Sequence, residues 1–162
     1  MLIGLLSDSH DNMPLLKKAV DFFNGSDVDL VLHAGDYISP ICARDLSKLK
    51  ARMIGVFGNN DGEKVAWREK VSGWGELHDV SYEAVLEGKR ILLMHDPLHI
   101  KSLAASGKYD IVIYGHTHKR HKDLIEKTLV INPGECGGWL NGHSSVALLT
   151  LPSMDVKFVE LS

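Results

Sequence analysis

Short apolar runs that end in polar residues recur throughout this chain of 162 residues. In residues 1–61 three of them, LIGLLS, VDLVLHAGD and RMIGVFGNND, alternate with two segments of helical character. Runs of this length are typical of buried strands. Strand–helix–strand order favours parallel pairing through right-handed crossovers. The alternation predicts an α/β fold, and it constrains the chain more than its composition does.

The two intervening segments carry helix signals. In NMPLLKKAVDFFNG, Asn12 can cap the start, Pro14 suits the first turn and Gly25 can end the helix. Its apolar residues recur at helical spacing: Leu15, Leu16, Ala19, Val20 and Phe23. In SPICARDLSKLK, Ser39 is the expected N-cap and Pro40 occupies the favoured first position.

The regular alternation of strands and helices is lost in the second half. GEKVAWREKVSG and PLHIKSLAASG predict helices, and SYEAVLEGKRILLMHD predicts two strands around a turn at residues 87–88. YDIVIYGHTH, TLVINPGE, SSVALLTL and DVKFVEL predict four more strands with no long helix among them. We therefore expect a largely antiparallel sheet here, and two packed sheets with helices outside overall.

Composition limits the broad class of protein. An apolar fraction of 44% over this length suits one domain, residues 1–162. A net charge of −3 makes long nucleic acid an unfavourable partner, because phosphate contacts need Lys and Arg. Two lone cysteines, Cys42 and Cys136, suggest a reducing, cytoplasmic environment. No apolar run reaches the ~18 residues of a membrane helix, and no membrane partner is expected.

Metal-ligating residue types follow five successive predicted strands. In open α/β sheets, ligands gather outside the carboxyl ends of the strands, so these residues are expected to converge. Carboxylate, imidazole and amide ligands suit divalent Mn, Fe, Zn or Co rather than a thiolate-loving metal. The strand ends that supply seven candidate ligands are Asp8-Ser9-His10, Gly35-Asp36, Gly58-Asn59-Asn60-Asp61, His95-Asp96 and Gly115-His116-Thr117-His118.

Seven ligands are too many for one tetrahedral ion and suit two ions that share a carboxylate. Two metals ~3.5–4 Å apart form a recurrent clamp for phosphoryl hydrolysis. Asp8/His10 and His116/His118 have i, i+2 spacing, and in extended chain such side chains point the same way, ~6.6 Å apart. Asp36 is the expected bridge, because it stands alone after Gly35 and its carboxylate has two oxygens to share.

The ordered set DSH, GD, GNND, H and GHTH over residues 8–118 resembles the signature of the calcineurin-like metallophosphoesterases. NPGE at residues 132–135 resembles a further family element. The short chain resembles the small single-domain prokaryotic phosphodiesterases of that family. The resemblance implies two mixed β-sheets flanked by helices, an α-β-β-α sandwich. It also implies one metal on Asp8, His10 and His118, a second on Asn59, His95 and His116, and Asp36 as the bridge.

The resemblance implies hydrolysis of a phosphodiester by a water or hydroxide that bridges two divalent ions. Mn is the first expectation, with Ni, Fe, Co or Zn as alternatives. Larger phosphatases of the family usually have His after the Asn of GN, where this chain has Asn60. An amide cannot act as a general acid near neutral pH. We therefore expect Asn60 to donate a hydrogen bond to phosphate, and diesters with good leaving groups to be preferred.

Other interpretations stay open at this point. A nuclease or a nucleotide phosphatase would use the same metals, and a non-catalytic scaffold of the same fold would bind partners instead. Retention of every ligand position favours catalysis. Exposed edge strands are compatible with a homodimer or a higher homo-oligomer. We expect His33 to face a neighbouring element, and the remaining histidines to lie on the surface: His78, His99, His121 and His143.

Overall fold

The computed structural model describes residues 1–161 and contains two β-sheets. The first sheet has six strands: β1 (Leu2–Leu6), β2 (Leu30–His33), β3 (Arg52–Val56), β4 (Gly75–His78), β10 (Ser145–Thr150) and β11 (Asp155–Glu160). The second has five: β5 (Ser81–Leu86), β6 (Lys89–Met94), β7 (Ile111–Ile113), β8 (His121–Ile125) and β9 (Thr128–Asn132).

The helices cover the outer faces of the two sheets. They are α1 (Met13–Gly25), α2 (Ala43–Leu46), α3 (Lys64–Val71) and α4 (Ile100–Ala105), with a 3₁₀ turn at Pro40–Cys42 before α2. One apolar cluster joins the first three helices to the first sheet, and α4 packs on the second sheet. Another cluster, which includes Leu5, Ile54 and Ile113, lies between the sheets. The architecture is therefore the expected α-β-β-α sandwich.

Helix α1 begins and ends close to the predicted positions. The side chain of Asn12 accepts a hydrogen bond from the backbone N–H of Leu15 at 3.4 Å, as an N-cap should. Four of the five predicted apolar positions are buried, and Leu15 is half-buried. The amphipathic spacing correctly predicted which face of α1 is buried, because burial of apolar area is the main favourable term in folding.

The first sheet has the order β11-β10-β1-β2-β3-β4. The pairs β1–β2 and β2–β3 are parallel, as the strand–helix alternation predicts, and β4 adds a further parallel pair with β3. Leu6 of β1 pairs with His33 of β2, which pairs with Gly55 of β3. This register brings the carboxyl ends of the three strands to one edge. The loops that leave these strands therefore begin side by side.

The prediction of a largely antiparallel sheet in the second half is wrong. The second sheet has the order β5-β6-β7-β9-β8, in which β6–β7 and β7–β9 are parallel. Strands β10 and β11 join the first sheet, where β10 pairs antiparallel with β1. The short helix α4 is enough to carry the chain over from β6 to a parallel β7. Both sheets are therefore mixed.

Two strands were not predicted, β4 and β8. All residues of β4 are half-buried, and β8 is exposed at four of its five positions, so neither shows the apolar run that marks the other strands. Both lie at sheet edges. Within residues 1–161, no helix combines the length and the apolar character needed to cross a bilayer.

Candidate metal centre

The loops after β1, β2, β3, β6 and β7 meet at one edge of the sandwich, where hydrogen bonds join the two sheets. The Nδ1–H of His95 donates to the carbonyl of Ala34 at 2.7 Å, and the backbone N–H of His116 donates to the carboxylate of Asp8 at 3.1 Å. Gly115 permits this approach, because a Cβ there would lie 3.0 Å from Asp8 Oδ2 and would collide with Ser7. All seven predicted ligands lie on these loops.

Five of the seven predicted ligands have left-handed backbone, with φ from 42° to 68°: Asp8, His10, Asp36, His116 and His118. The expectation that the i, i+2 pairs converge from extended chain is therefore wrong. Side chains other than glycine rarely adopt this region, and such residues cluster at functional sites where the surrounding structure holds them. Tight left-handed turns, rather than strand periodicity, aim these side chains inward.

Asp8, His10 and His118 form the first group. One ligand atom from each lies within 4.8 Å of the others. Nε2 of His10 is 3.8 Å, and Nε2 of His118 is 3.5 Å, from Oδ1 of Asp8. The two imidazole rings stack with centroids 4.9 Å apart. Asp8 is fully buried, and the two histidines are partly exposed.

Asp8, Asp36 and His95 form the second group, and all three are buried. Asn59 joins it, since its Oδ1 lies 3.0 Å from Nε2 of His95 and 2.8 Å from Nδ1 of His116. The contact of His95 Nδ1 with Ala34 fixes the ring so that Nε2 faces the group, an arrangement typical of metal-ligating histidines.

Asp36 belongs to the second group and also faces the first. Its Oδ2 is 3.6 Å from Nε2 of His10 in the first group and 3.4 Å from Nε2 of His95 in the second. Burial alone would raise the pKa of Asp36, but the contacts with His95 and Asn60 outweigh burial and hold that pKa well below its usual range. The carboxylate is therefore ionised at neutral pH, as a metal ligand must be.

The donor set fits divalent ions. Nε2 of His10 is buried and has no hydrogen-bond partner within residues 1–161, because the nearest carboxylate oxygens are more than 3.5 Å away. A nitrogen and two carboxylates converging at this spacing leave room for a cation among them. The described donors are oxygen and nitrogen, and the two free cysteines belong to neither group. Such a set suits Mn, Fe, Co, Ni or Zn.

Asn60 contacts Asp36 twice. Its backbone N–H donates to Oδ1 at 2.9 Å, and its side-chain amide donates to Oδ2 at 2.7 Å. The residue itself is exposed, so it lies at the outer side of the site. Its position beside the central carboxylate places it next to the two groups of candidate ligands.

Sequence reasoning did not single out Glu135, which ends the NPGE element. Its side chain is fully buried, and Oε1 lies 3.1 Å from Nδ1 of His118. The same oxygen accepts a hydrogen bond from the backbone N–H of Trp139 at 2.8 Å. A carboxylate behind a ligating histidine orients the ring and raises its basicity. The signal was available, since Glu135 also follows an apolar strand.

Asp61 was also left out of the candidate site. Its buried carboxylate accepts hydrogen bonds from the backbone N–H groups of Asp36 at 3.0 Å, Ile38 at 2.8 Å and Gly58 at 2.7 Å. These bonds tie the loop after β2 to the loop after β3. Asp61 therefore fixes the turn that carries Asp36 without being one of the clustered ligands.

The histidines outside the candidate set lie elsewhere. His33 is fully buried, and burial lowers its pKa to about 3. Its ring packs on Tyr37 with centroids 3.9 Å apart, as expected for a histidine that faces a neighbouring element. The prediction of surface positions is confirmed for His99, His121 and His143, which are exposed, whereas His78 is half-buried.

The fold and the buried Asp/His groups together define a metal-dependent phosphoesterase. The family model of the calcineurin-like phosphoesterase superfamily domain matches residues 1–154. The chain belongs to this superfamily, and the resemblance seen in residues 8–118 is confirmed.

Individual relatives agree with this assignment. A phosphodiesterase of Methanocaldococcus jannaschii is 35% identical over 99% of both chains. A solved archaeal phosphodiesterase is 33% identical, with a TM-score of 0.93 over 99% of this chain and 100% of its own. A phosphoesterase of E. coli, 19% identical, shares the fold with a TM-score of 0.71 over the full length of both chains.

Proposed function

We propose that this protein is a dinuclear metal-dependent phosphodiesterase. The observation that carries the proposal is the position of Asp36, whose Oδ2 lies within 3.6 Å of a histidine nitrogen in each of the two ligand groups. A single mononuclear site would not need a buried carboxylate between two sets of donors. The phosphodiesterase of M. jannaschii, similar over nearly its whole length, supports the reaction class.

The first proposed ligand set is the first group, whereas the second takes His95 and Asn59 from the second group and adds His116. The first ion is held by Asp8, His10 and His118, the second by Asn59, His95 and His116, and Asp36 bridges them. Contacts of Asn59 with both His95 and His116 support the second set. We propose Mn as the metal, with Ni, Fe, Co and Zn as the alternatives that the same donors accept. We further propose that residues 1–162 act as one domain in the cytoplasm.

The bound ions would lower the pKa of a water molecule and neutralise phosphate oxygens. The chain's own groups position the reaction. Asp36 and Asp8 supply carboxylate ligands, and Asn60 holds Asp36 through two hydrogen bonds. The Asn60 amide has a second N–H that can donate to a phosphate oxygen, but it has no proton to give to a leaving alkoxide.

This chemistry favours diesters with good leaving groups. General acid assistance is typically worth about 10²–10⁴-fold, so simple alkyl monoesters lose the most when it is missing. A nuclease or nucleotide phosphatase would use the same centre, but the net charge of −3 disfavours long nucleic acid. A scaffold role is disfavoured because all seven ligand types are present and clustered. A homodimer or higher homo-oligomer is compatible with the exposed edge strand β8.

The test compares Asp36→Ala with Asp123→Ala, a control on the exposed strand β8. We expect Asp36→Ala to lose dinuclear metal binding and to lower turnover of bis(4-nitrophenyl) phosphate by more than about 100-fold, because it removes a shared ligand. Elemental analysis and rates with each metal give the readouts. Two metals per chain and full activity in Asp36→Ala would end the bridging assignment, and absence of diesterase activity with every metal would end the proposed function.

A further inference from the structure

The loop of residues 136–141 frames the first ligand group. It follows β9 and Glu135, and it donates to the main chain of all three members of that group. Each of three donors reaches one carbonyl: Gly137 N to Asp8 at 2.9 Å, Trp139 Nε1 to His10 at 3.0 Å and Asn141 Nδ2 to His118 at 3.0 Å. The loop is therefore hydrogen-bonded to every member of the first ligand group.

Glu135 holds the loop through hydrogen bonds to its backbone. Its buried carboxylate accepts the backbone N–H groups of Trp139 at 2.8 Å and of Leu140 at 3.2 Å, while it also contacts His118. The side chain of Asn12, at the start of α1, donates to the carbonyl of Gly137 at 2.7 Å. These bonds fix the backbone at the tip of the loop, so its two large side chains have defined positions.

Those two side chains are apolar and face solvent. Trp139 is 64% exposed and Leu140 is 72% exposed. Trp67, by contrast, is fully buried, and Trp74 is half-buried. Single exposed apolar residues are common on protein surfaces. Here the indole N–H of Trp139 donates a hydrogen bond to the carbonyl of His10. This bond orients the ring at the rim of the site and leaves its carbon surface free.

Resting on the function proposed above, we propose that Trp139 and Leu140 form a subsite for a planar aromatic ester group of the substrate, an aryl ring or a nucleobase. A phosphate held at the ligand groups must direct its organic substituents toward the rim. An indole face stacks on planar rings, nucleobases included.

A protein partner fits this surface less well. A stable interface buries roughly 800 Å² on each side, far more than two side chains offer. The other large exposed apolar residues are spread over different segments: Ile41 in the 3₁₀ turn, Val65 on α3, Val85 on β5, Leu124 on β8, and Val80 and Leu98 in loops. The hydrogen bonds of this loop to the carbonyls of His10 and Asp8 connect the subsite to the first ligand group instead.

The test measures binding rather than turnover. Mn²⁺-loaded wild type, Trp139→Ala, Trp139→Phe and the control Trp74→Phe are titrated by calorimetry with methylphosphonate, phenylphosphonate and a nucleoside 5′-phosphonate. The three probes share the phosphonate anion and differ in the organic group. Size-exclusion chromatography of each variant reports the oligomeric state.

We expect Trp139→Ala to weaken the binding of phenylphosphonate or of the nucleoside phosphonate by about tenfold, equivalent to about 1.4 kcal/mol. The affinity for methylphosphonate should stay unchanged. Trp139→Phe should retain most of the affinity, and Trp74→Phe all of it. A loss of affinity for phenylphosphonate alone identifies an aryl subsite, and a loss of affinity for the nucleoside phosphonate alone identifies a nucleobase subsite.

Three results would overturn the inference. Equal losses for all three probes would mean that Trp139 supports the metal centre as a whole. No loss for any probe, with or without a change in oligomeric state, would remove the subsite and leave the proposed function intact. Failure of wild type to bind even methylphosphonate would remove the proposed function as well.

Discussion

At the scale of single residues, the site depends on side chains held in backbone conformations that they rarely adopt. Five predicted ligands have positive φ, and so does Ile38 at 79°, a β-branched residue for which this region is a true outlier. The backbone N–H of Ile38 is held by Asp61, and its carbonyl accepts the indole N–H of Trp67 at 3.2 Å. Packing and buried hydrogen bonds elsewhere in the fold offset this strain.

Glu135→Gln should weaken one metal site and spare the other. The amide keeps the size of the side chain but removes the charge behind His118, and loss of such a partner typically costs about 10–100-fold in metal affinity. Titration of metal into the apo variant should show one site weakened by that factor and one unchanged.

Glu160→Gln is the matched control for this experiment, because Glu160 is an exposed carboxylate that contacts His143 at 2.8 Å and belongs to neither ligand group. Unchanged affinity at both sites of Glu135→Gln would show that the contact with His118 does not tune the metal. Thermal melts of the apo variants separate a weakened site from a general loss of stability.

Asn60→His should raise the rate on poor leaving groups. A histidine can donate the proton that the amide lacks, a contribution of about 10²–10⁴-fold when it is well placed. The measurement is log rate against leaving-group pKa for a series of aryl and alkyl diesters. A steep slope in wild type should flatten in the variant, whereas equal slopes would mean that Asn60 does not set the leaving-group preference.

At the scale of elements, short helices depend on local charge as well as packing. Asp45 in α2 is buried, with a side chain 5% exposed, and its Oδ1 accepts a hydrogen bond from Nζ of Lys48. This hydrogen bond, with a further one from Arg44, lowers the pKa of Asp45 below its ordinary value despite burial.

Asp45→Asn should therefore lower stability at pH 7 and have little effect at pH 2. A carboxyl whose pKa is lowered by folding stabilises the protein above its unfolded pKa of about 3.9, and that stability is lost as pH falls through the folded pKa. We expect a loss of about 1 kcal/mol at pH 7, measured by urea unfolding across the pH range. Equal losses at both pH values would assign the effect to packing instead.

At the scale of the whole molecule, the candidate metal ligands come from both sheets. Asp8 and Asp36 belong to loops of the first sheet, and His95 and His116 to loops of the second. A ligand that binds only the folded state stabilises it by mass action, by about 2.7 kcal/mol at a hundredfold excess over Kd. Bound metal should therefore act as a clamp across the sandwich.

Removal of metal should lower the melting temperature. For a chain of this size 1 kcal/mol corresponds to about 2–4 °C, so saturating Mn²⁺ should raise Tm by about 5–10 °C over the chelated protein. Differential scanning calorimetry with Mn²⁺ or a chelator provides the measurement. An equal rise in Asp36→Ala would show that the stabilising ion binds outside the proposed centre.

The sequence alone determined the α/β class, most elements and the chemical nature of the site. Apolar runs and helical periodicity identified β1–β3 and α1, because local burial patterns follow from 2.0 and 3.6 residue periods. Ligand types at strand ends predicted seven side chains that the fold brings to one edge, since parallel strands deliver their carboxyl ends there, but the same reasoning missed Glu135 and Asp61.

Only the tertiary structure decided how the second half pairs and how the ligands are oriented. The pairing of β10 with β1 spans nearly the whole chain, and edge strands such as β8 carry no apolar run, so local patterns cannot specify either. Left-handed turns at Asp8 and His118, and the contact of Glu135 with His118, exist because distant backbone groups hold them in place. Such long-range constraints are set by packing, which no window of sequence contains.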